Sequence, residues 1–392
     1  MRTEGDFIKI NEWLLPLSWL YGLGVQLRNL LFDTGILKSK SYSTPVISVG
    51  NITVGGSGKT PHVEYLIRLL QNHTQVAVLS RGYKRKTRGY RLSDAHSTMS
   101  EIGDEPFQMK HKFPKAYVAV DAKRTRGIEH LIGDRATSDV GAILLDDAFQ
   151  HRYVKPGVNI LLVDYHRLIM YDKLLPAGRL REPASGKSRA DIVIVTKCPK
   201  DLKPMEFRVL TKAMALYPFQ ELYFTTIVYD RLQGLFTGHT MELTELADKR
   251  VLLLTGIASP KQIMTDIAPL CTGIVPITYG DHHAFTQADI TRINELYAST
   301  EGNRIILTTE KDATRLMERD GLSPEAKEHI YTLPIHVTFM QGQGDKFNHK
   351  ILGYIRKNSR SYKQVKTKGE HKPKGTKQGV AKPRTISFKD NI

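Results

Sequence analysis

Cysteine is almost missing from this chain of 392 residues: Cys198 and Cys271, far apart, are the whole supply. That excludes a disulfide scaffold and a multi-cysteine zinc module, and it suits a reducing cytosol. Long apolar runs are missing too. The most membrane-like stretch, residues 13–27 (WLLPLSWLYGLGVQL), has 15 residues without a charge. A spanning helix needs about 20, and Pro16, Gly22 and Gly24 weaken this one further. A secretory leader is not expected, because the first twelve residues carry two basic and three acidic side chains and no small-x-small site follows. What remains is globular, with 41% hydrophobic and 25% charged residues. At about 150 residues per domain, the length predicts two domains, each with its own core.

The net charge of +17 is unevenly spread. From Arg356 to Ile392, twelve Lys and Arg face two acids, so +10 sits in that tail. A basic surface suits nucleic acid or an anionic membrane, and charge alone does not choose. No stacking-aromatic motif accompanies the tail, so nucleic acid is not the expected partner. Near the N-terminus, two tryptophans and a tyrosine among leucines suit a helix lying in the headgroup region. An apolar helix packed on its own domain is the alternative.

Short β-branched runs recur at residues 45–49, 76–80, 117–120, 142–145, 160–163 and 192–196, with helix-length gaps between them. Most are continuously apolar, as parallel strands covered on both faces require. The pattern predicts a doubly wound, mostly parallel α/β domain, with a second, smaller α/β domain joined by a β linker; the glycine-rich run GNITVGGSGKT (50–60) makes the first of the P-loop NTPase type. The expected boundaries are an interfacial helix region at 1–40, a P-loop core at 41–218 and a β linker at 219–240. A C-terminal α/β domain follows at 241–355, then a basic disordered tail at 356–392.

The strongest motif is VISVGNITVGGSGKTP, residues 46–61. An apolar strand enters a loop of Thr53, Val54, Gly55, Gly56, Ser57 and Gly58, and Lys59-Thr60 opens a helix. Glycines let successive N–H groups turn inward around phosphate oxygens, and the helix N-terminus adds partial positive charge. Lys59 would reach the terminal phosphates and the Thr60 hydroxyl would ligate Mg²⁺. One departure stands out: the general pattern asks for glycine where Thr53 sits. Such sites hold Mg²⁺ through an acid ending a neighbouring strand, and AILLDD supplies Asp146 and Asp147. Asp164, ending LLVD, is a rival, and a helix N-cap is the plainer role for Asp146 and Asp147.

Further polar clusters follow apolar strands: SRGY (80–83), GDEP (103–106), PAGRLREP (176–183), DHH (281–283) and TEKD (309–312). Each has a structural alternative. Asp104 can begin a helix with Pro106 inside it, and Thr286-x-x-Asp289 and Thr309-x-x-Asp312 read as capping boxes. Taken in order with the phosphate loop, LLDDAFQHR and TEKDA, however, these motifs resemble the tetraacyldisaccharide 4'-kinase family, the lipid A kinases of Gram-negative bacteria. The resemblance runs from about Trp13 to Tyr354, and Thr or Ser at position 53 is ordinary within it.

The resemblance implies transfer of the ATP γ-phosphoryl group to the 4'-hydroxyl of a tetraacyl glucosamine disaccharide 1-phosphate. The expected location is peripheral, on the anionic cytoplasmic face of the inner membrane, with a helix over residues 13–32 as the contact. By the same resemblance Asp104 is the base, oriented by His282, with Asp147 as the rival base, and Glu182 joins Thr60, Asp146 and Asp147 around the metal. Arg81, Arg124 and Arg126 are candidates for phosphate contacts. Other membrane-associated P-loop ATPases or GTPases and nucleic-acid-binding ATPases are the alternatives. Guanine selection is disfavoured, because Thr196-Lys197-Cys198-Pro199 lacks the acid that such a loop needs.

Overall fold

A computed structural model describes residues 10–257, 260–281 and 283–358. His282 and the tail beyond residue 358 therefore lie outside the described residues. In chain order the strands are β1 (Val46–Gly50), β2 (Gln75–Ser80), β3 (Arg91–Leu92), β4 (Tyr117–Val120), β5 (Val140–Asp146), β6 (Val158–Asp164), β7 (Ile192–Thr196) and β8 (Glu221–Tyr229). They continue as β9 (Leu232–Gly234), β10 (Thr240–Met241), β11 (Arg250–Thr255), β12 (Gly273–Thr278), β13 (Arg304–Thr309), β14 (Ile330–Leu333) and β15 (Ile335–Phe339). The helices used below are α1 (Leu15–Asp33), α2 (Lys59–Leu70), α3 (Met99–Ile102), α4 (Asp104–Lys112), α5 (Arg124–Gly133), α6 (Pro204–Met214), α7 (Lys261–Ile267), α8 (Gln287–Ser299), α9 (Glu310–Met317), α10 (Pro324–Glu328) and α11 (Gly344–Asn358).

Nine strands form the first sheet in the order β15-β8-β7-β6-β1-β5-β2-β4-β3, parallel from β8 to β4 with antiparallel edges. The chain works outward from β1 on one side and, after β5, continues on the other. The C-terminal end of β1 thus marks the reversal at which open α/β sheets bind ligands. Strands β1 and β7 are buried at every residue, because helices cover both faces. On one face Ile47, Val49 and Leu144 pack against α2, Met109 of α4, and Phe347 and Ile351 of α11. On the other, Val193 and Val195 meet Phe207 and Leu210 of α6, while Leu79 and Ile143 meet Ile128 and Leu131 of α5. The expected α/β class and its mostly parallel sheet are both present.

The second sheet, β10-β9-β14-β13-β11-β12, is parallel from β14 to β12. The expected division of the chain needs redrawing here. Residues 219–240 are no separate linker, since β8 belongs to the first sheet and β9 and β10 to the second. Residues 335–358 leave the second domain altogether: β15 pairs with β8, and α11 buries Phe347, Ile351 and Ile355 in the first core. The chain therefore crosses between sheets twice, after β8 and before β15, and the Asp230 N–H donates to the Pro334 carbonyl at 3.0 Å where the crossings meet.

Before the first sheet, α1 lies along its loops. Ser18 Oγ donates to the Leu174 carbonyl at 3.0 Å, Tyr21 Oη donates to the Arg181 carbonyl at 2.8 Å, and Phe32 meets Tyr153 edge to face. Its opposite side is bare. Trp19 is 73% exposed there, with Leu20, Leu23 and Leu27 beside it, and Trp13, in the turn just before α1, is 93% exposed. No described helix is long and apolar enough to cross a membrane.

The return of α11 makes a checkable claim. Phe347→Ala should destabilise the first domain by about 3–5 kcal/mol. Urea denaturation followed by nucleotide binding would show it, and an unchanged midpoint for the binding signal would contradict the assignment.

Candidate active site

The loop between β1 and α2 is braced from inside. Asn51 Nδ2 donates to Thr53 Oγ1 at 3.1 Å and to Ser57 Oγ at 2.7 Å, all three side chains being buried. This accounts for Thr53: its hydroxyl anchors the loop where the general pattern has glycine. The real demand for glycine lies at Gly55 and Gly58, with φ of +114° and +78°. Gly58 caps α2, so Lys59 and Thr60 stand at the helix N-terminus. Two neighbouring segments fix the outside. The Val54 N–H donates to the Arg179 carbonyl and the Arg181 N–H to the Ile52 carbonyl, both at 2.8 Å. Thr196 Oγ1 donates to the Ser57 carbonyl at 3.0 Å, and Lys197 Nζ donates to the Gly56 carbonyl. Thr196 and Lys197, weighed above as part of a guanine loop, here hold the phosphate loop.

His62 closes the loop from below. One ring nitrogen lies 2.7 Å from the Gly58 carbonyl and the other 3.1 Å from Thr225 Oγ1 of β8. Burial pushes its pKa down to about 4, against the opposing pull of that carbonyl.

Asp146 ends β5 fully buried. Its Oδ2 accepts from Ser80 Oγ at 3.0 Å, while its Oδ1 is buried with no partner. Burial, then the negative charges of Glu105 and Asp147, push its pKa up to about 7. Asp147 follows at φ +45°, in the left-handed region that few side-chain-bearing residues adopt. Lys59 Nζ lies 3.8 Å and Arg181 Nη2 3.1 Å from its Oδ1. Burial alone would raise Asp147, but Lys59 and Arg181 hold it below its ordinary value.

Several expected partners are otherwise engaged. Both Glu182 oxygens accept from Arg189 Nη2 at 2.8 Å, so this carboxylate is a buried anchor rather than one of the acids beside Lys59. Arg124 is buried and donates to the main-chain carbonyls of Asp121 and Asp146 at 2.7 and 2.9 Å, supporting the acids from beneath. Arg126 clasps Asp121 at 2.7 and 2.8 Å, and the rival Asp164 pairs with Lys197 at 2.7 Å. Arg81 is exposed at the end of β2. Among the described residues, no group of three or more His, Cys, Asp and Glu gathers into a metal cluster.

The second domain reaches this edge through α9. Asp104 begins α4, where an acid suits the helix N-terminus. Gly103, before it, has φ of +93°, and a Cβ there would lie 3.0 Å from the Tyr83 carbonyl, so any other residue would be strained. Arg315 Nη2 donates to Asp104 Oδ2 at 2.6 Å. Lys311 Nζ lies 4.0 Å from Asp104, 3.7 Å from Glu105 and 3.8 Å from Asp281. Asp281, immediately before His282, is thereby brought to Asp104. His283 is not: its Nε2 meets Asp289 Oδ2 at 2.9 Å and its ring stacks on Tyr279. The capping box Thr286–Asp289 is formed, and Thr309 caps α9.

A family model described as LpxK, tetraacyldisaccharide-1-P 4'-kinase, matches residues 10–356. The chain belongs to the tetraacyldisaccharide 4'-kinase family. A tetraacyldisaccharide 4'-kinase of Phocaeicola vulgatus is 57% identical, covering 91% of this chain and 99% of its own. One from Flavobacterium johnsoniae is 45% identical, covering 89% and 98%. The crystal structure of an "apo" form of LpxK from Aquifex aeolicus in complex with ATP superposes with a TM-score of 0.67. It is 29% identical and covers 87% of this chain and 98% of its own. Within this family member, sequence reasoning had Asn51 and Ser80 inside its motifs but gave them no role, and it missed His62 and Arg315. Asn51 and Ser80 each end or follow an apolar strand, the signal that picked out Asp146. His62 and Arg315 lie inside helices and carry no such mark.

His62 generates a prediction. The unfolded chain takes up a proton at the ordinary 6.5, whereas the folded chain resists until about 4. Stability should therefore fall as pH drops through that window, by about 1.4 kcal/mol per unit from this group. His62→Gln should flatten that part of the pH–stability curve, read by urea midpoints; an unaltered slope would disprove it.

Proposed function

We propose that this protein transfers the γ-phosphoryl group of ATP to the 4'-hydroxyl of a tetraacyl glucosamine disaccharide 1-phosphate, a step of lipid A assembly. The observation carrying this reading is a braced phosphate loop with Lys59 against Asp147, on the edge where Asp104 is met by the second domain, in a chain of this family. Phosphoryl transfer needs charge neutralisation and in-line placement more than covalent chemistry. Inward N–H groups of residues 55–60 cradle the ATP phosphates, and Lys59 balances charge developing on the transferred group. Asp104 takes the proton from the sugar hydroxyl as it attacks. His282, the expected orienter of that base, is outside the described residues.

The residues fit Mg²⁺. The orphaned, buried Asp146 Oδ1 is an oxygen that a cation would satisfy, and Thr60 stands at the start of α2. Thr60 and Asp146 would hold the ion, with Asp147 through water. So few protein ligands are ordinary where phosphates and water supply the rest. Bound there, Mg²⁺ neutralises phosphate charge. Glu182, committed to Arg189, is left out of the set.

An acceptor with four acyl chains stays in the bilayer, so the enzyme must come to it. The bare Trp19–Leu23 side of α1, with Trp13 in the turn just before it, supports a peripheral contact with an anionic membrane. Trp13→Ala/Trp19→Ala should lower sedimentation with phosphatidylglycerol vesicles several-fold, yet leave turnover of detergent-dispersed acceptor intact. Undiminished vesicle binding would refute that role for α1.

The kinase reading is tested with radiolabelled ATP and the disaccharide lipid. Lys59→Ala should abolish lipid labelling, and Asp104→Asn should slow it by about 10²–10⁴-fold. Full activity without Asp104 would remove it as the base, and no labelling by the wild type would remove the substrate assignment.

A further inference from the structure

Both oxygens of the Asp104 carboxylate are held. Oδ1 accepts the Glu105 N–H at 3.0 Å, a contact local to α4. Oδ2 accepts from Arg315 Nη2 at 2.6 Å, a contact from the other domain and 211 residues away in sequence. Arg315 is buried and locked in its turn: Nη1 donates to Asp312 Oδ1 at 2.8 Å and to the Gly256 carbonyl at 3.4 Å. Asp312 is wholly buried, and its second oxygen accepts from the Gly256 N–H at 2.8 Å and the Thr309 hydroxyl at 2.7 Å. The guanidinium is thus a fork between a fixed carboxylate in one domain and Asp104 in the other.

A second, independent set of contacts fixes α9 against the phosphate loop. Lys112 of α4 lies 2.6 Å from Glu64 of α2 and 2.5 Å from Glu310, the first residue of α9. Glu64 is buried and also accepts from Gln108 Nε2 at 3.0 Å. Charge therefore ties the helix that begins at Lys59, the helix that begins at Asp104 and the helix that carries Arg315.

We infer that Arg315 is a positioning residue: supplied by the second domain, it sets the direction in which Asp104 presents its carboxylate to the acceptor hydroxyl. The inference rests on Asp104 being the base. Its chemistry is that of a planar fork, which spans Asp312 and Asp104 at once and which the single point charge of a lysine cannot reproduce. Lys311, 4.0 Å from Asp104 and shared with Glu105 and Asp281, adds charge without a fixed direction.

The test is a double-mutant cycle on the full chain with ATP and the lipid acceptor. Arg315→Ala should lower kcat by about 10–100-fold, the loss expected of a misdirected catalytic group. KM for ATP should stay within about twofold, because the phosphate loop is untouched, and Arg315→Lys should recover only a minor part. In the Asp104→Asn background, Arg315→Ala should add no further loss, since a residue acting through Asp104 has nothing left to act on. Losses that multiply, or wild-type kcat in Arg315→Ala, would overturn the inference. Wild-type turnover in Asp104→Asn would instead overturn the base itself. Calorimetric ATP binding checks that each variant is folded; if Arg315→Ala is not, Asp312→Asn, which keeps the guanidinium but frees one arm, takes its place in the cycle.

Discussion

Crowding of negative charge onto one sheet edge is the constraint to which the rest of this molecule answers. Asp146, Asp147, Glu105 and Asp104 all gather where the phosphates of a nucleotide must also come. Each acid is met differently. Asp147 has Lys59 and Arg181 beside it and stays below its ordinary pKa. Asp146, one residue earlier, is buried without a direct cation partner and rises to about 7. Neighbouring carboxylates whose environments push them apart are suited to different tasks. Asp147 is a standing anion that orients Lys59 and Arg181. Asp146 is a buried carboxylate with one oxygen left without a hydrogen-bond partner.

The domain joint answers the same constraint from farther away. Asp104 and Glu105 lie on the first domain, but the cations closest to them, Arg315 and Lys311, lie on the second. That arrangement works only if the second domain returns to one register. A single tether would let it swivel freely. Here two adjacent crossings run side by side, joined by the Asp230–Pro334 hydrogen bond, and His336 Nδ1 meets Asp230 at 2.9 Å. Paired crossings leave bending about one line as the easy motion, so α9 meets α4 in a defined way. The C-terminal return of β15 and α11 is what makes the second crossing possible.

Much of this was legible in the sequence because the relevant signals are local. Continuous apolar runs gave the parallel strands, and the glycines with Lys59-Thr60 gave the loop. The acids after β5 stood out because a strand end is easy to find. The rest depended on contacts between distant residues. The pairing of Glu182 with Arg189 and the burial of Arg124 beneath Asp146 are contacts made only in the folded chain. The domain boundary was misjudged for the same reason. Strand β15, IHVTF, alternates apolar and polar residues as an edge strand does, but nothing in its five residues says which sheet it joins. Partnership across more than a hundred residues, as between β15 and β8, has no local signature.

The placement of α1 extends this reasoning to the acceptor. Its bare side is costly in water, since Trp13, Trp19 and their leucines gain nothing there. Its other side is bonded to the loops that shape the site, through Ser18 to Leu174 and through Tyr21 to the Arg181 carbonyl. Arg181 itself donates to Asn51 and Asp147, the brace of the phosphate loop and the acid beside Lys59. Arg181 therefore links the exposed helix to the residues that brace the phosphate loop. If α1 rests on a bilayer, as proposed, the height of Lys59 above the lipid is set by this path together with the contacts of Ser18 to Leu174 and of Arg152 to Asn29 and Asp33. A rigid path matters more here than a strong membrane grip, because the sugar hydroxyl of a bilayer-held acceptor cannot travel far to reach the nucleotide. Mobility must then come from the side that is not tied to the membrane, and that is the second domain with Arg315.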